Sequence, residues 1–505
     1  MGRKNKNKKV QQSNGASGST EGGKQLSKQV KKEVMDLIKT LLEKCSTPAT
    51  GGSKDFDDYL NIRDTVEKIR DLQKDICLVP EKRGDKISAF IEWLKSKNVD
   101  TSCVDVGEFD GYGYGLQACK DLKENESFLA IPREVMMTAQ SARNTCLGPI
   151  ISEDKILQVM PSVVLALHLL CEKRTTDSYW KPYLDILPQT YNTPLYFTPD
   201  DVKYLKGSPA QGDCISQYRN IVRQYAYFYK LFQNDNSVQN LPLKEFFSFD
   251  DYRWAVSTVM TRQNQIPTED GSKMTFALIP LWDMCNHCNG LITTDYNLDK
   301  DCSECFALRN FTKGDQIFIF YGARSNAELL VNNGFVYTEN EHDRMAVKLG
   351  IGKSDPLFNM KSEVLQRCGL QVARNFYLHT GDLPVDSDLL IFLRIFHMDE
   401  DTLKSRFSEA NAVQIKEELG DLDKVVSVEL ETNMWTYLET RSTLLLKSYE
   451  TSVEEDDELL QKKKLSDCER LCVQLRYCEK NILKSTASYA SQRKQKLQQS
   501  QNQTT

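Results

Sequence analysis

No apolar run in the 505-residue chain is long enough to cross a bilayer. The longest nearly apolar stretch, Val163 to Cys171, is less than half of the roughly 20 residues a membrane helix needs. The first 35 residues hold no apolar centre of a secretory leader. Gly2 is followed by Lys6 where a myristoylation pattern needs Ser or Thr. Neither charge sign dominates: 65 Lys and Arg against 71 Asp and Glu give a net −6. That balance excludes a wholly basic nucleic-acid-binding protein and a polyanionic disordered chain. The 15 cysteines are odd in number and scattered from Cys45 to Cys478, unlike the dense framework of a small disulfide scaffold. The expectation is a soluble protein of a reducing compartment. There is no Gly-x-x-x-x-Gly-Lys-Ser/Thr phosphate loop, no Gly-x-Ser-x-Gly elbow and no His-x-x-x-His pair among the five histidines, and no internal repeat suggests a solenoid.

Hydrophobic residues at 40% suffice for cores. At about 150 residues per domain the length allows roughly three packed units. Residues 1–30 are Lys, Asn, Gln, Gly and Ser and read as a basic tail; residues 491–505, rich in Gln, Lys and Ser, read as another. Helical spacing runs from Val34 to Cys45, Tyr59 to Leu72 and Ile87 to Leu94, the first two framing a Gly-Gly-Ser loop at residues 51–53. It returns at Ile156–Cys171, Tyr218–Phe232 and Asp251–Arg262, and after residue 345 at Lys361–Cys368, Asp388–Phe396, Val428–Lys447 and Leu459–Ile482. Short strands are expected within residues 103–131, at Phe276–Leu281, Cys305–Leu308 and Gln316–Tyr321.

The spacing Cys285-x2-Cys288-x13-Cys302-x2-Cys305 is close to that of a four-thiolate zinc site. Against it, the first pair sits in Ile279-Pro-Leu-Trp-Asp-Met-Cys-Asn-His-Cys288, where Asn286 and His287 are the residues of interest; reduced structural cysteines are favoured and no metal is assigned. Gly111, Gly113 and Gly115 lack the spacing of a dinucleotide fingerprint and a strand follows them, but glycines let backbone approach a ligand closely. Two further runs are polar in unusual places: Thr261-Arg-Gln-Asn-Gln265 before Ile266-Pro267, and Phe318-Ile-Phe-Tyr-Gly-Ala-Arg-Ser-Asn326.

Gly113-Tyr-Gly115 after a short strand, Asn286-His287 after an apolar strand, and Phe320-Tyr321-Gly322 some 35 residues later together resemble the SET-domain methyltransferases. The wide gap before Asn286 resembles the rubisco large-subunit methyltransferase class, over about residues 55–490. Within it, Thr261-Arg-Gln-Asn-Gln-Ile-Pro267, Pro280-Leu-Trp-Asp-Met-Cys-Asn-His287 and Ile319-Phe-Tyr-Gly-Ala-Arg-Ser-Asn-Ala-Glu328 resemble the actin-histidine methyltransferases. The resemblance implies an α+β fold: a β-rich SET core of short strands split by a helical insertion, then a mostly helical substrate-binding domain. It divides the chain into a disordered basic tail (1–30), an N-terminal helical segment (31–101), a SET domain (102–322) with its insertion at about 140–262, a helical C-terminal domain (323–490) and a disordered end (491–505).

It further implies S-adenosyl-L-methionine as cofactor and an imidazole of actin, monomeric in form, as methyl acceptor in the cytoplasm and nucleus, with no nucleic-acid or membrane partner. By this carry-over Tyr112, Gly113 and Tyr114 hold the cofactor, Asp283, Met284, Cys285, Asn286 and His287 add main-chain and side-chain contacts, and Arg262 and Arg83 reach its polar end. Tyr112 stands where an acidic residue is common, and Asn333 where a serine contacts cofactor. Gln263, Ile266, Pro267, Ile279, Trp282 and Arg324 line the peptide groove, with Asn264 and Tyr321 as the catalytic pair. A free imidazole, with pKa near 6.5, is largely neutral at pH 7 and needs no strong base. Asn264 can hold one ring nitrogen and leave the other as nucleophile, while Tyr321 stacks on the ring and its hydroxyl helps remove the proton. A lysine methyltransferase of the same fold and a non-catalytic adaptor are the alternatives.

Overall fold

The computed structural model describes residues 25–46, 53–78, 82–234, 240–407, 410–462 and 464–504. Most of the basic tail, and Gly51 and Gly52 of the first loop, lie outside them. The apolar spacing of Val34, Ile38 and Leu41 places those side chains on the buried face of the helix Lys28–Lys44, whose cap Ser27 accepts from the Val30 N–H. This helix packs beside Ser53–Gln73 and the 25-residue helix Ala210–Asn234. The aromatic stripe Tyr225, Phe228, Tyr229 and Phe232 is core, as its spacing indicates, and each such ring removed from water is worth roughly 1.5–3 kcal/mol.

The strands form three small sheets in the first lobe and a ribbon in the second. In the first sheet, β1 (Val104–Phe109) and β2 (Gly113–Ala118) make a hairpin, with Phe109 opposite Gly113. The hairpin loop turns through Gly111 and Gly113, both at positive φ (74° and 67°), a conformation a Cβ would strain. The second sheet is built from β3 (Ser127–Pro132), β8 (Thr294–Asn297) and β9 (Cys302–Phe306), in the order β3-β9-β8. The third has β4 (Met137–Thr138), β5 (Gln263–Pro267) and β6 (Met274–Leu278), in the order β4-β6-β5. The short β7 (Asn286–His287) joins β10 (Gln316–Ile319) in parallel and completes the first sheet as β1-β2-β10-β7.

Between β4 and β5 the chain is helical. There, Pro161–Lys173 packs against Phe249–Arg262, whose last residue is followed directly by β5. The helix expected at Ile156–Cys171 breaks at Met160, because Pro161 cannot continue it.

The second lobe has its own core and is mostly helical, as the resemblance implies, with one ribbon of strands added. Strands β11 (Arg344–Gly350) and β12 (Ala373–His379) pair antiparallel over seven residues and pack against helices Ser387–His397 and Asp467–Thr504; Phe358–Arg367 and Val428–Leu446 pack in turn on Ser387–His397. The stretch Leu459–Ile482 is two helices, Val453–Lys462 and Asp467–Thr504. The latter runs through residues 491–504, so the expected disordered end is, up to residue 504, helix. Its Cys472 and Leu475 complete the first core, and its Ile482, Leu483 and Ala490 enter the second.

Candidate active site

Asn264 stands where the Phe249–Arg262 helix gives way to β5, and its Nδ2 donates to the Arg262 carbonyl at 3.2 Å. Arg262, the last residue of that helix, donates Nη1 to the Asp283 carbonyl at 2.8 Å and lies 3.4 Å from Asp283 Oδ1. Burial alone would lower the guanidinium's proton affinity; the Asp283 carboxylate reverses this and holds the cation firmly charged. Burial raises Asp283, while Arg262 and the Tyr183 hydroxyl oppose the rise. Asp283 and Trp282 follow Leu281, a buried non-glycine residue at φ 70°, ψ −49°. That is a γ-turn geometry rare for a branched residue, and such strain concentrates at functional sites.

The parallel pairing of β7 with β10 sets Asn286 opposite Phe318 and His287 opposite Ile319. Asn286 Nδ2 donates to the Tyr114 carbonyl at 3.4 Å, tying β7 to the hairpin. His287 is buried among Phe320, Tyr321, Phe335 and Tyr337. Burial, with Arg324 and His342 nearby, lowers it to about 4, so the ring is neutral. Its Nδ1 accepts from the Tyr321 N–H at 3.2 Å, which assigns the ring proton to Nε2. The Tyr321 hydroxyl donates to the Cys285 carbonyl at 2.6 Å. Burial pushes this phenol far above its usual range, so it is a fixed neutral donor rather than a base.

Two cavities meet at these residues. The larger, about 800 Å3, is lined by Tyr112, Tyr114, Met284, Asn286 and His287, by residues 188 and 190–192, by residues 335–339, and by Asp467. The second, about 480 Å3, is lined by Gln263, Asn264, Phe276, Trp282, Cys285, Ile292, Ile319 and Arg324. Thr261, Arg262, Asp283, Tyr321 and Asn333 line both. Arg324 Nη1 donates to Asn333 Oδ1 at 2.8 Å, fixing that shared wall.

Comparison with known proteins agrees with this geometry. Residues 113–322 match the SET domain and residues 352–483 the Rubisco LSMT substrate-binding domain. The chain is 48% identical over 461 residues to the actin-histidine N-methyltransferase of Xenopus tropicalis, covering 91% of this chain and 79% of that one. The Homo sapiens protein of that name is 48% identical, covering 91% of this chain and 78% of its own. The chain belongs to the actin-histidine N-methyltransferase family. Its fold is also that of Rubisco LSMT bound to AdoMet, with TM-score 0.65 at 24% identity, covering 84% of this chain and 94% of that one.

Not every residue expected in this SET-domain site lines it. Ile266 and Ile279 are fully buried in the core, where an apolar side chain gains more than in an open groove, and Pro267 gives its carbonyl to Arg133. Cys285 lines the second cavity, not the first. Arg83 stands behind the larger cavity: it stacks on the Tyr114 ring, 4.8 Å to the centroid, and donates to the Ile186 carbonyl at 2.8 Å. Burial, and after it Arg262, brings Arg83 down to about 10. Gly113 shapes the hairpin without lining the cavity. Of the four spaced cysteines, Cys302 and Cys305 lie on β9, with Cys305 close enough to Cys285 to feel a charge there; among the described residues no three His, Cys, Asp or Glu side chains group as a metal site.

Two wall segments had no motif. Residues 188–192 and 335–339 approach each other at Gly334, the left-handed residue that ends the helix Asn326–Asn333; a Cβ there would lie 3.0 Å from the Asn192 carbonyl carbon. The Asn333-Gly334 stop was legible as a helix end, though not as a cavity wall.

Proposed function

We propose that the chain is a protein-histidine N-methyltransferase that moves a methyl group from S-adenosylmethionine to an imidazole nitrogen of a histidine in actin. The observation that carries this reading is the pair of cavities separated only by residues lining both, with Asn264 and Trp282 on one side and the glycine hairpin on the other. The larger cavity suits the donor. Tyr112, Tyr114 and Tyr337 offer aromatic faces, Glu339 and Asp467 offer carboxylates to an ammonium or a diol, and Arg262 keeps a buried Nε without a partner. Gly115 lets Asn286, which lines this cavity, and Gln316 close onto β2: a Cβ there would lie 2.6 Å from Gln316 Nε2 and 2.9 Å from Asn286 Nδ2.

Bound there, S-adenosylmethionine supplies an electrophilic methyl on a sulfonium. The chain must align a neutral lone pair with it and exclude water. Asn264 is suited to the first task. With Nδ2 held by the Arg262 carbonyl, Oδ1 is the acceptor for an imidazole N–H, and the opposite ring nitrogen keeps its lone pair free. Tyr321 forms a neutral wall whose proton is committed to the Cys285 carbonyl. The methylated ring sheds its remaining proton to solvent at neutral pH, so no protein base is required.

The reading extends to monomeric actin as the form recognised and to the cytoplasm and nucleus, compartments in which scattered cysteines stay reduced. No helix among the described residues is long and apolar enough to cross a membrane. The deciding experiment incubates the purified chain with S-adenosylmethionine and unmethylated actin and locates the modified residue by mass spectrometry. A methylated histidine is expected; methylation confined to lysines, or donor binding without transfer, overturns the substrate assignment.

A further inference from the structure

Tyr183 lies in the short helix Lys181–Asp185 of the insertion, fully buried, with its ring 6.2 Å from that of Phe90. Its hydroxyl donates to Asp283 Oδ2 at 2.5 Å. The Asp283 side chain has no exposed surface, and its other oxygen, Oδ1, faces Arg262 Nη1 at 3.4 Å without a hydrogen bond among the described residues. Arg262 and Asp283 line both cavities, whereas Tyr183 lines neither. The phenol thus stands behind the shared wall and touches it at one atom.

We propose that Tyr183 is a positioning residue of the methyl-transfer site: by holding Asp283 Oδ2 it keeps the carboxylate ionised and turned to Arg262, so that the wall between the cavities carries no net charge. This rests on the reading of the larger cavity as the S-adenosylmethionine site. A buried carboxylate survives only when it is paired and hydrogen-bonded. Burial drives the Asp283 proton affinity up, and Arg262, the Tyr183 hydroxyl and Arg83 hold it down. The other titratable groups around the pair, Tyr191, Tyr321 and Cys285, are pushed up by burial and stay neutral, so none takes over that work. Without the phenol, Oδ2 has no donor and the carboxyl takes up a proton at a higher pH. Arg262 would then lose the carboxylate that orients it, and an unanchored guanidinium would meet the polar end of the donor less well, since a charge-assisted pair is what fixes its fork geometry.

The test is calorimetric titration of S-adenosylmethionine into the full chain and its Tyr183→Phe and Asp283→Asn variants, at roughly pH 6 and about pH 8.5, with a thermal melt of each. Affinity of the unaltered chain should change by less than about twofold between the two pH values, while Tyr183→Phe should match it at the higher pH and bind about tenfold more weakly at the lower, as expected where a carboxyl that has lost its donor is about nine-tenths protonated. Asp283→Asn, which removes the charge permanently, should bind more weakly by a similar factor at both. A folded Tyr183→Phe chain whose affinity follows the unaltered chain at both pH values overturns the proposal. If that variant fails to melt cooperatively, wild-type affinity in Asp283→Asn overturns it instead. An unaltered chain that binds no S-adenosylmethionine at either pH overturns the cavity reading and this role with it.

Discussion

Asn264 differs from the other polar residues of the second cavity in having its amide orientation set by the backbone, through the Arg262 carbonyl. Replacing it with alanine should lower kcat by about 10²-fold, the usual cost of misplacing a reacting group, while the affinity for S-adenosylmethionine stays within about twofold. Parallel losses in steady-state turnover and in calorimetric donor affinity would place Asn264 in the donor cavity instead. Acceptor chemistry sets the pH profile. A protonated imidazole has no lone pair, so kcat/KM should fall as pH drops below about 6.5. His287 cannot produce that limb, because burial already holds it at about 4. The Tyr321 phenol, pushed up by burial, should give no alkaline limb near about pH 9. A limb there that vanishes in Tyr321→Phe would restore the phenol as a base.

Among the elements, the contact of β2 with β7 and β10 depends on one missing side chain. Gly115→Ala brings a methyl against Gln316 and Asn286. Overpacking of this kind should cost roughly 1–3 kcal/mol in a denaturant melt and weaken donor binding, since Asn286 lines that cavity. The elements most legible in the sequence were those whose chemistry and periodicity coincide. The strings at 261–267, 279–287 and 319–328 concentrate polar groups inside apolar runs and contain most of the site. Residues 188–192 and 335–339 were opaque because their place in the wall depends on a close backbone approach, which no spacing announces. The ribbon β11–β12 was legible in principle: Met345, Val347 and Leu349 are buried with a period of two, but flanking helical periods set the expectation. Residues 491–504 lack an apolar period and yet extend a helix that tertiary contacts hold past Ala490: Arg493 donates to the Leu422 carbonyl at 2.8 Å, Lys494 pairs with Glu439, and Leu497 packs against the second core.

At the scale of the whole molecule, buried charge on the helix Asp467–Thr504 ties it to both lobes. Asp456 is fully buried against Arg476 Nη2 at 2.6 Å and Lys480 Nζ at 2.5 Å. Asp456→Ala strands two buried cations and should cost about 3–5 kcal/mol by chemical denaturation; a loss below about 1 kcal/mol would mean that water reaches them. Glu479 accepts from Ser208 of the first lobe and Tyr449 of the second, both at 2.9 Å, and burial pushes it up to about 7. The folded chain therefore holds a proton that the unfolded chain has released. This contribution, about 3 kcal/mol, is complete below about pH 4.5 and disappears as pH rises to about 7. Glu479→Gln should flatten that slope in melts across the window, and an unchanged slope would assign it to other groups.

The same helix has a consequence for the order of assembly. The first core is contributed by residues 34–330 and then by Cys472 and Leu475, with the second lobe threaded between. A chain emerging from the ribosome thus carries an incomplete first core until residues 472–475 are made. Its catalytic half waits on a helix made after the second lobe, a long-range closure of the kind that leaves apolar surface open to chaperones.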